Sequence, residues 1–200
     1  MTNILIIGAT GSIGQATRTY LLQHTTDQLT LMARHTNRLS HLDATRERVI
    51  EGSVTEATTL QPALAGQDVV FAALSGDLPR MAQALVAGMN QAGIERLLFI
   101  SSMGIYNEIP ANVGAGGNLD GNPILAPYRR AADIIEASAL NYTVIRPGWF
   151  DNGSTDYQIT HKGEPFAGHD VARASIADLV MRLAHDSKFG SRDSLGINRK

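Results

Sequence analysis

Six short apolar runs recur along the chain, at residues 3–7, 28–33, 47–51, 68–73, 96–101 and 142–146. Most are rich in Ile, Val and Leu and lack polar alternation, which is the pattern of strands covered on both faces. Between them the apolar positions fall at helical spacing, over about 12–23, 78–92, 125–139 and 173–185, with a weaker turn near 57–65. In the last long helix Ile176, Leu179, Val180 and Leu183 share one face. A final short strand is expected at 194–197. Strand–helix alternation of this kind predicts an α/β fold with a doubly wound parallel sheet and right-handed crossovers. The 200 residues suit one such domain with a sizeable core.

Two stretches break the pattern. Residues 103–124, after the fifth strand, are rich in Gly, Asn and Pro; residues 148–170, after the sixth, carry Gly, Asp, Asn and His. Both are expected to leave the carboxyl edge of the sheet, where open α/β folds bind ligands. Loops beyond about 12–15 residues in a compact domain are usually functional or disordered. Together they are expected to form the pocket for a small molecule.

The first apolar run leads straight into Gly8-Ala-Thr-Gly-Ser-Ile-Gly14. Gly8 lets the chain turn at the strand end, Gly11 lets a pyrophosphate approach the backbone, and Gly14 lets the first helix pack on the strand. The free N–H groups of that helix start then face the phosphates. Three glycines alone could be a plain turn. Their place after the first strand of an alternating chain makes this a dinucleotide-binding device, and the sheet a Rossmann-type one.

Composition narrows the partners. Hydrophobic residues are 44% and charged residues 18%, a globular balance that argues against disorder. The formal net charge of −2, with no basic tract, gives no support to nucleic-acid or membrane-surface binding. Without cysteine there is no disulfide, thiolate metal site or thiol nucleophile. No apolar run is long enough to span a bilayer, and no basic segment precedes a cleavable apolar one, so a cytoplasmic protein is expected. A monomer is expected, or a homodimer built on helix 78–92 or 125–139.

The second strand ends at Arg34, with Arg38 one helical turn further on. An Asp or Glu here would bind the adenosine ribose diol of NAD and repel a 2′-phosphate. A guanidinium fork matches a phosphate dianion and keeps its charge. NADP(H) is therefore expected in preference to NAD(H), although two arginines opening a solvated helix would read the same way elsewhere.

GATGSIG, the Arg34 strand end, Phe99-Ile-Ser-Ser-Met-Gly-Ile-Tyr106 and Tyr142-Thr-Val-Ile-Arg-Pro-Gly148 together resemble the atypical short-chain dehydrogenase/reductases. More narrowly they are similar to the NmrA-like and biliverdin/flavin-reductase-like NAD(P)H-binding branch, over essentially the whole chain. The resemblance implies that Thr10, Gly11, Ser12 and Ile13 wrap the pyrophosphate and that Arg34 holds the 2′-phosphate. It also implies that Ser53 and Val54 border the adenine, though the family often has Asp where Ser53 stands. Ala72, Ala73 and Leu74 would run beside the adenosine ribose. Ser101 and Ser102 would face the nicotinamide, and Pro147 and Gly148 would line its pocket.

Many short-chain reductases use a Tyr-x-x-x-Lys pair, in which the ammonium lowers the phenol pKa. Here the residues four beyond Tyr20, Tyr106, Tyr128, Tyr142 and Tyr157 are His24, Pro110, Ala132, Arg146 and His161. The only lysines are Lys162, Lys188 and Lys200. Tyr128 sits near the family's tyrosine–lysine helix and is a candidate acid, a cofactor contact or a packing aromatic. Ketone reduction needs an acid for the developing alkoxide, whereas a flavin or quinone takes hydride into a delocalised ring and water can supply the proton. Ser102 is expected to orient the reactants. Tyr106 and Trp149 are expected in the substrate pocket, Trp149 as a stacking wall or as packing under the loop. His161 and His169 lie on the second loop, where histidines are usually solvated. No HExxH or carboxylate cluster points to a metal, and no GxSxG elbow surrounds Ser102. The reading is an NADPH-dependent reductase passing hydride to a small acceptor such as a flavin, quinone or carbonyl compound. The alternative is a non-catalytic NADP(H)-binding redox sensor acting through a protein partner.

Overall fold

A computed structural model describes residues 1–199. The first strand, β1 (Asn3–Ile7), leads into helix α1 (Ser12–His24), followed by β2 (Gln28–Ala33) and β3 (Glu47–Glu51). Then come α2 (Ala57–Leu64), β4 (Val69–Ala72), α3 (Leu78–Ala92), β5 (Arg96–Ile100), α4 (Ala126–Glu136) and β6 (Asn141–Pro147). The chain ends with three short strands, β7 (Trp149–Asp151), β8 (Tyr157–Thr160) and β9 (Asp170–Ala172), then α5 (Arg173–His185) and β10 (Asp193–Arg199). Lys200 lies outside the described residues.

Eight strands form one sheet in the order β3-β2-β1-β4-β5-β6-β10-β8. Every neighbouring pair is parallel except β10 with β8. The order reverses direction between β1 and β4, and ligands of such sheets bind at that switch point, beyond the strand ends. This is the Rossmann-type α/β sheet, and the boundaries of its parallel strands lie within a residue or two of those read from the apolar runs.

Alternate residues of each central strand serve opposite cores. Leu5, Ile7, Val70, Leu97, Phe99 and Val144 face α2, α3 and α4. Ile4, Ile6, Phe71, Leu98, Ile100 and Ile145 face α1 and α5. Each fully buried Leu, Ile or Phe contributes roughly 1.5–3 kcal/mol relative to exposure. Helix α3 shows how the local sequence sets the bounds. The Asp77 carboxylate accepts from the Arg80 N–H at 3.3 Å, Pro79 fills the first turn, and Gly93 stops the helix at φ +70. Leu78, Ala82, Leu85 and Met89 form its buried stripe.

The second irregular segment departs from a plain loop. Within 148–170 the chain forms β7, then β8, which pairs antiparallel with β10 at the sheet edge, while β7 pairs with β9 in a separate two-stranded ribbon. Runs of three or four residues among Gly, Asp and Asn carry too little alternation to read as strands. Within 103–124 only single turns of 3-10 helix form, at Ala115–Gly117 and Pro123–Leu125. The two segments are tied together. Met103, Ile109 and Phe166 make a small core of their own, and the Phe166 N–H donates to the Glu108 carbonyl at 2.8 Å.

Candidate functional site

The turn after β1 is fixed by close backbone packing. Gly8 adopts φ +84, and a Cβ there would fall on the Ala73 carbonyl oxygen; a Cβ on Gly14 would fall on the Gly8 carbonyl oxygen and Ala9 Cα. Gly11 is different. Its nearest neighbour to a Cβ is the Gly8 carbonyl oxygen at 3.2 Å, so the side facing away from the protein is open. Helix α1 then starts at Ser12 with no side-chain cap and no acid in its first turn. Its first N–H groups, unsatisfied by the helix itself, therefore point out of the turn at the positive end of the helix dipole.

Two clefts run along the carboxyl edge and share Gly11, Ala73, Leu74 and Ser75. The first, of about 440 Å³, lies beyond the ends of β1, β2, β3 and β4. Gly8, Thr10, Arg34, Arg38, Ser53 and Val54 line it, with His35, Asn37 and Met81. No carboxylate does. The nearby acid, Glu51, is turned toward Thr36, whose N–H and Oγ1 donate to it at 3.0 and 2.7 Å. Those bonds hold its carboxyl below the usual range. Arg34 and Arg38 are exposed and make no ion pair among the described residues, so their forks are available to an anion. The Ser53 hydroxyl is instead engaged with Thr55 at 2.9 Å, bracing the turn into α2.

The second cleft, of about 500 Å³, opens between β5, β6 and the two irregular segments. Ser12, Ile13, Ser101, Ser102, Tyr128, Pro147, Gly148 and Trp149 line it. Apart from its serines and Asn122 it is largely apolar, with Met103, Ile124, Leu125 and Phe150 in its walls. Ile124, Trp149 and Phe150 are also among the most exposed large apolar side chains, at 74%, 64% and 41%. Trp149 stacks on His169 with ring centroids 6.1 Å apart. The Ser102 hydroxyl donates to the Met103 carbonyl at 3.0 Å. The Ser101 hydroxyl is buried, lines the cleft and has no partner, so a hydrogen bond from a bound molecule would satisfy it.

Not every expected residue reaches a cleft. Gly14 and Ala72 sit behind the walls, Gly14 inside α1 and Ala72 fully buried at the end of β4. Tyr106 is the clear correction, because it does not line the pocket. Gly104 at φ +86 and Asn107 at φ +62 swing the chain away from Ser102. The Tyr106 ring then lies among Arg129, Arg146 and Lys162, each 4.5–5.2 Å from its centroid. Its hydroxyl donates to Glu136 at 2.5 Å. Lys162 is thus brought beside a tyrosine from a distant segment, but burial and then the Glu136 carboxylate push that phenol well above its ordinary pKa. It stays protonated and faces away from the clefts. Beneath it the buried Arg146 guanidinium pairs with Glu108 and donates to Ser194 Oγ at 3.1 Å. Glu108 also accepts from the N–H groups of Gly104 and Tyr106, at 3.0 and 2.9 Å. This network anchors the segment that follows Met103.

Several lining residues escaped the sequence reading. Phe150 adjoins Trp149, a neighbour that drew attention; Ile124, Ser75, Met81 and Asn122 carried no signal of their own. Among the described residues no group of histidine and acidic side chains is placed to hold a metal ion, and no helix is long and apolar enough to cross a membrane.

The open glycine turn, the free helix start, the paired arginines and the unpartnered Ser101 hydroxyl fit a dinucleotide laid across both clefts. Residues 8–187 match the family described as NAD(P)H-binding. The uncharacterized sugar epimerase YhfK of Bacillus subtilis (strain 168) is 30% identical, over 93% of this chain and 92% of its own. A Rossmann-fold NAD(P)-binding family protein from Shigella flexneri superposes with a TM-score of 0.85 at 35% identity, covering 100% of this chain and 94% of that one. A short-chain dehydrogenase/reductase (wide type) from Veillonella parvula DSM 2008, solved in complex with NADP, gives a TM-score of 0.90 at 29% identity, over 99% of this chain and 94% of that one. The chain belongs to the NAD(P)H-binding family, and short-chain dehydrogenase/reductases are among the solved structures it resembles.

Proposed function

We propose that this protein is an NADPH-dependent reductase acting on a small planar acceptor, such as a flavin or quinone. The observation that carries the reading is the contrast inside one continuous site. A cation-lined cleft ends where an apolar, aromatic-walled cleft begins, and the two share the glycine turn. In this reading Arg34 and Arg38 bind the 2′-phosphate as forked donors, and the N–H groups of Ser12 and Ile13 hold the pyrophosphate. The Ser101 and Ser102 hydroxyls orient what lies against β5. Reduced nicotinamide, when bound, supplies the hydride. Trp149 and Phe150 flank the acceptor and exclude water from one of its faces. Tyr128 is the tyrosine in the acceptor cleft, and no lysine stands four residues after it to tune it. A delocalised acceptor suits that site better than a ketone, because its proton can come from water.

NADPH oxidation against a panel of flavins, quinones, aldehydes and a 4-keto sugar nucleotide tests the reading. Turnover of a flavin or quinone ahead of the carbonyl compounds is expected. A second reading, a sensor that binds NADP(H) without turnover, draws on the exposure of Ile124, Trp149 and Phe150. Tight NADPH binding with no turnover of any acceptor would favour it.

A further inference from the structure

Arg173 is the first residue of α5 and lies far from the glycine turn in sequence. Its Nε nonetheless donates to the Ser12 hydroxyl at 2.6 Å, 161 residues away. Its Nη1 donates to the Asp151 carbonyl at 3.0 Å and to Asn152 Oδ1 at 3.1 Å. Its guanidinium lies 5.9 Å from the Phe150 ring centroid. The remaining nitrogen, Nη2, takes part in none of these bonds. One side chain thus joins the first residue of α1 to the strand that carries Trp149 and Phe150.

Helix stability does not account for this placement. A cation in the first turn of a helix faces the positive end of the dipole and is disfavoured there. Helix α5 also begins without a side-chain cap and without an acid in its first turn. The Arg173 guanidinium is therefore added to the start of α1 at Ser12, which concentrates positive potential at that point. The arginines that line the clefts, Arg34 and Arg38, both belong to the first one, and no charged side chain lines the second. Backbone N–H groups alone would face the two negative charges of a pyrophosphate at the turn. Arg173 is the cation joined to that turn.

We infer that Arg173 is a positioning residue that couples pyrophosphate binding at the glycine turn to the placement of the Trp149–Phe150 wall. The inference rests on the NADP(H)-binding reading. A phosphate oxygen accepts from a guanidinium more strongly than a serine hydroxyl does. Filling the turn therefore draws Arg173 toward the phosphates. Because Arg173 also holds Asp151 and Asn152, the wall follows. The acceptor cleft takes its working shape once the phosphates are seated.

Trp149 is the only tryptophan in the chain, so its emission reports the wall directly. Two probes separate the effects in the full-length protein. 2′-Phospho-ADP-ribose carries the pyrophosphate but no nicotinamide that could touch Trp149, and 2′-AMP carries only the adenosine end. In the unmutated protein the first is expected to change Trp149 emission, and the second to bind without changing it. This comparison needs no variant. Arg173→Met is expected to weaken 2′-phospho-ADP-ribose by about tenfold or more, to leave 2′-AMP unchanged and to abolish the emission change. Arg173→Lys, which keeps the charge but not the fork, should recover part of the affinity and none of the emission change. Binding of 2′-phospho-ADP-ribose with Trp149 silent overturns the inference alone. So does an Arg173→Met variant that weakens both probes equally. Failure of both probes to bind the unmutated protein overturns it together with the NADP(H) reading.

Discussion

The two clefts meet at Gly11 and Leu74, yet they are built in opposite ways. The first is made of strand ends and a helix start. Its shape is set by backbone packing, with Gly8 against Ala73 and Gly14 against Gly8 and Ala9. The second is made of segments that leave the sheet and return, and its shape is set by side chains far apart in sequence. Met103 in its wall packs on Ile109 and Phe166, and the Arg146–Glu108 pair anchors the segment that follows Met103. A site built on backbone accepts one ligand geometry. A site built on exposed side chains such as Ile124, Trp149 and Phe150 can be refitted to different acceptors without disturbing the sheet.

The largest effects should come from the glycine turn, and they split the two halves of that argument. Gly11→Val places a branched side chain where the pyrophosphate approaches, while the one backbone atom near its Cβ, the Gly8 carbonyl oxygen at 3.2 Å, need give by only a few tenths of an ångström. Calorimetry is expected to find NADPH binding abolished and unfolding little changed. Gly14→Val drives a side chain into backbone and should instead destabilise the fold, by at least the ~1–3 kcal/mol typical of overpacking. If Gly11→Val kept micromolar NADPH affinity, the first cleft would be a structural turn and the contrast would collapse.

The next effect lies at the acceptor end. Arg146→Met strips the buried Glu108 carboxylate of its partner, a change that costs about 3–5 kcal/mol when a buried pair is broken. Denaturant unfolding measures it. Replacing both partners, Arg146→Met with Glu108→Gln, should recover part of the loss, because the neutral amide needs no cation and its oxygen still accepts a backbone N–H. Affinity for 2′-AMP at the other cleft should stay the same in every variant that folds. Arg34→Ala is the mirror experiment. It should weaken NADPH by roughly 1.5–3 kcal/mol and leave NADH nearly unchanged. Equal affinity of the unmutated protein for both cofactors would remove the cation-lined cleft from the argument. The smallest effect is expected at Tyr128. Tyr128→Phe should slow reduction of a flavin or quinone by less than about tenfold, well short of the ~10²–10⁴-fold of a positioned acid. A thousandfold loss with NADPH affinity intact would make Tyr128 the proton donor.

The same division explains what the sequence disclosed. The glycine turn was legible because its determinants lie within seven consecutive residues, and its place after a buried strand fixes their directions. The parallel strands were legible because burial on both faces leaves unbroken apolar runs. Arg173 left no trace, since its partner Ser12 is joined to it only by the fold. Strand β8 was hidden because an edge strand of four residues has room for barely two alternations. Tyr106 misled because it stands four residues after Ser102 in sequence, while the positive φ angles at Gly104 and Asn107 send it to a separate buried network.

Strand β10 lies between β6 and β8 rather than at a rim. Among the described residues it is the last strand in chain order, yet both its neighbours depend on it. Until residues 193–199 emerge, the growing chain carries an open ladder along β6, and Tyr157–Thr160 has nothing to pair with. An exposed ladder of this kind is the surface on which nascent chains stick to one another. Completion of the sheet in the acceptor half therefore waits for residues 193–199, whereas the segments that build the glycine turn leave the ribosome long before them.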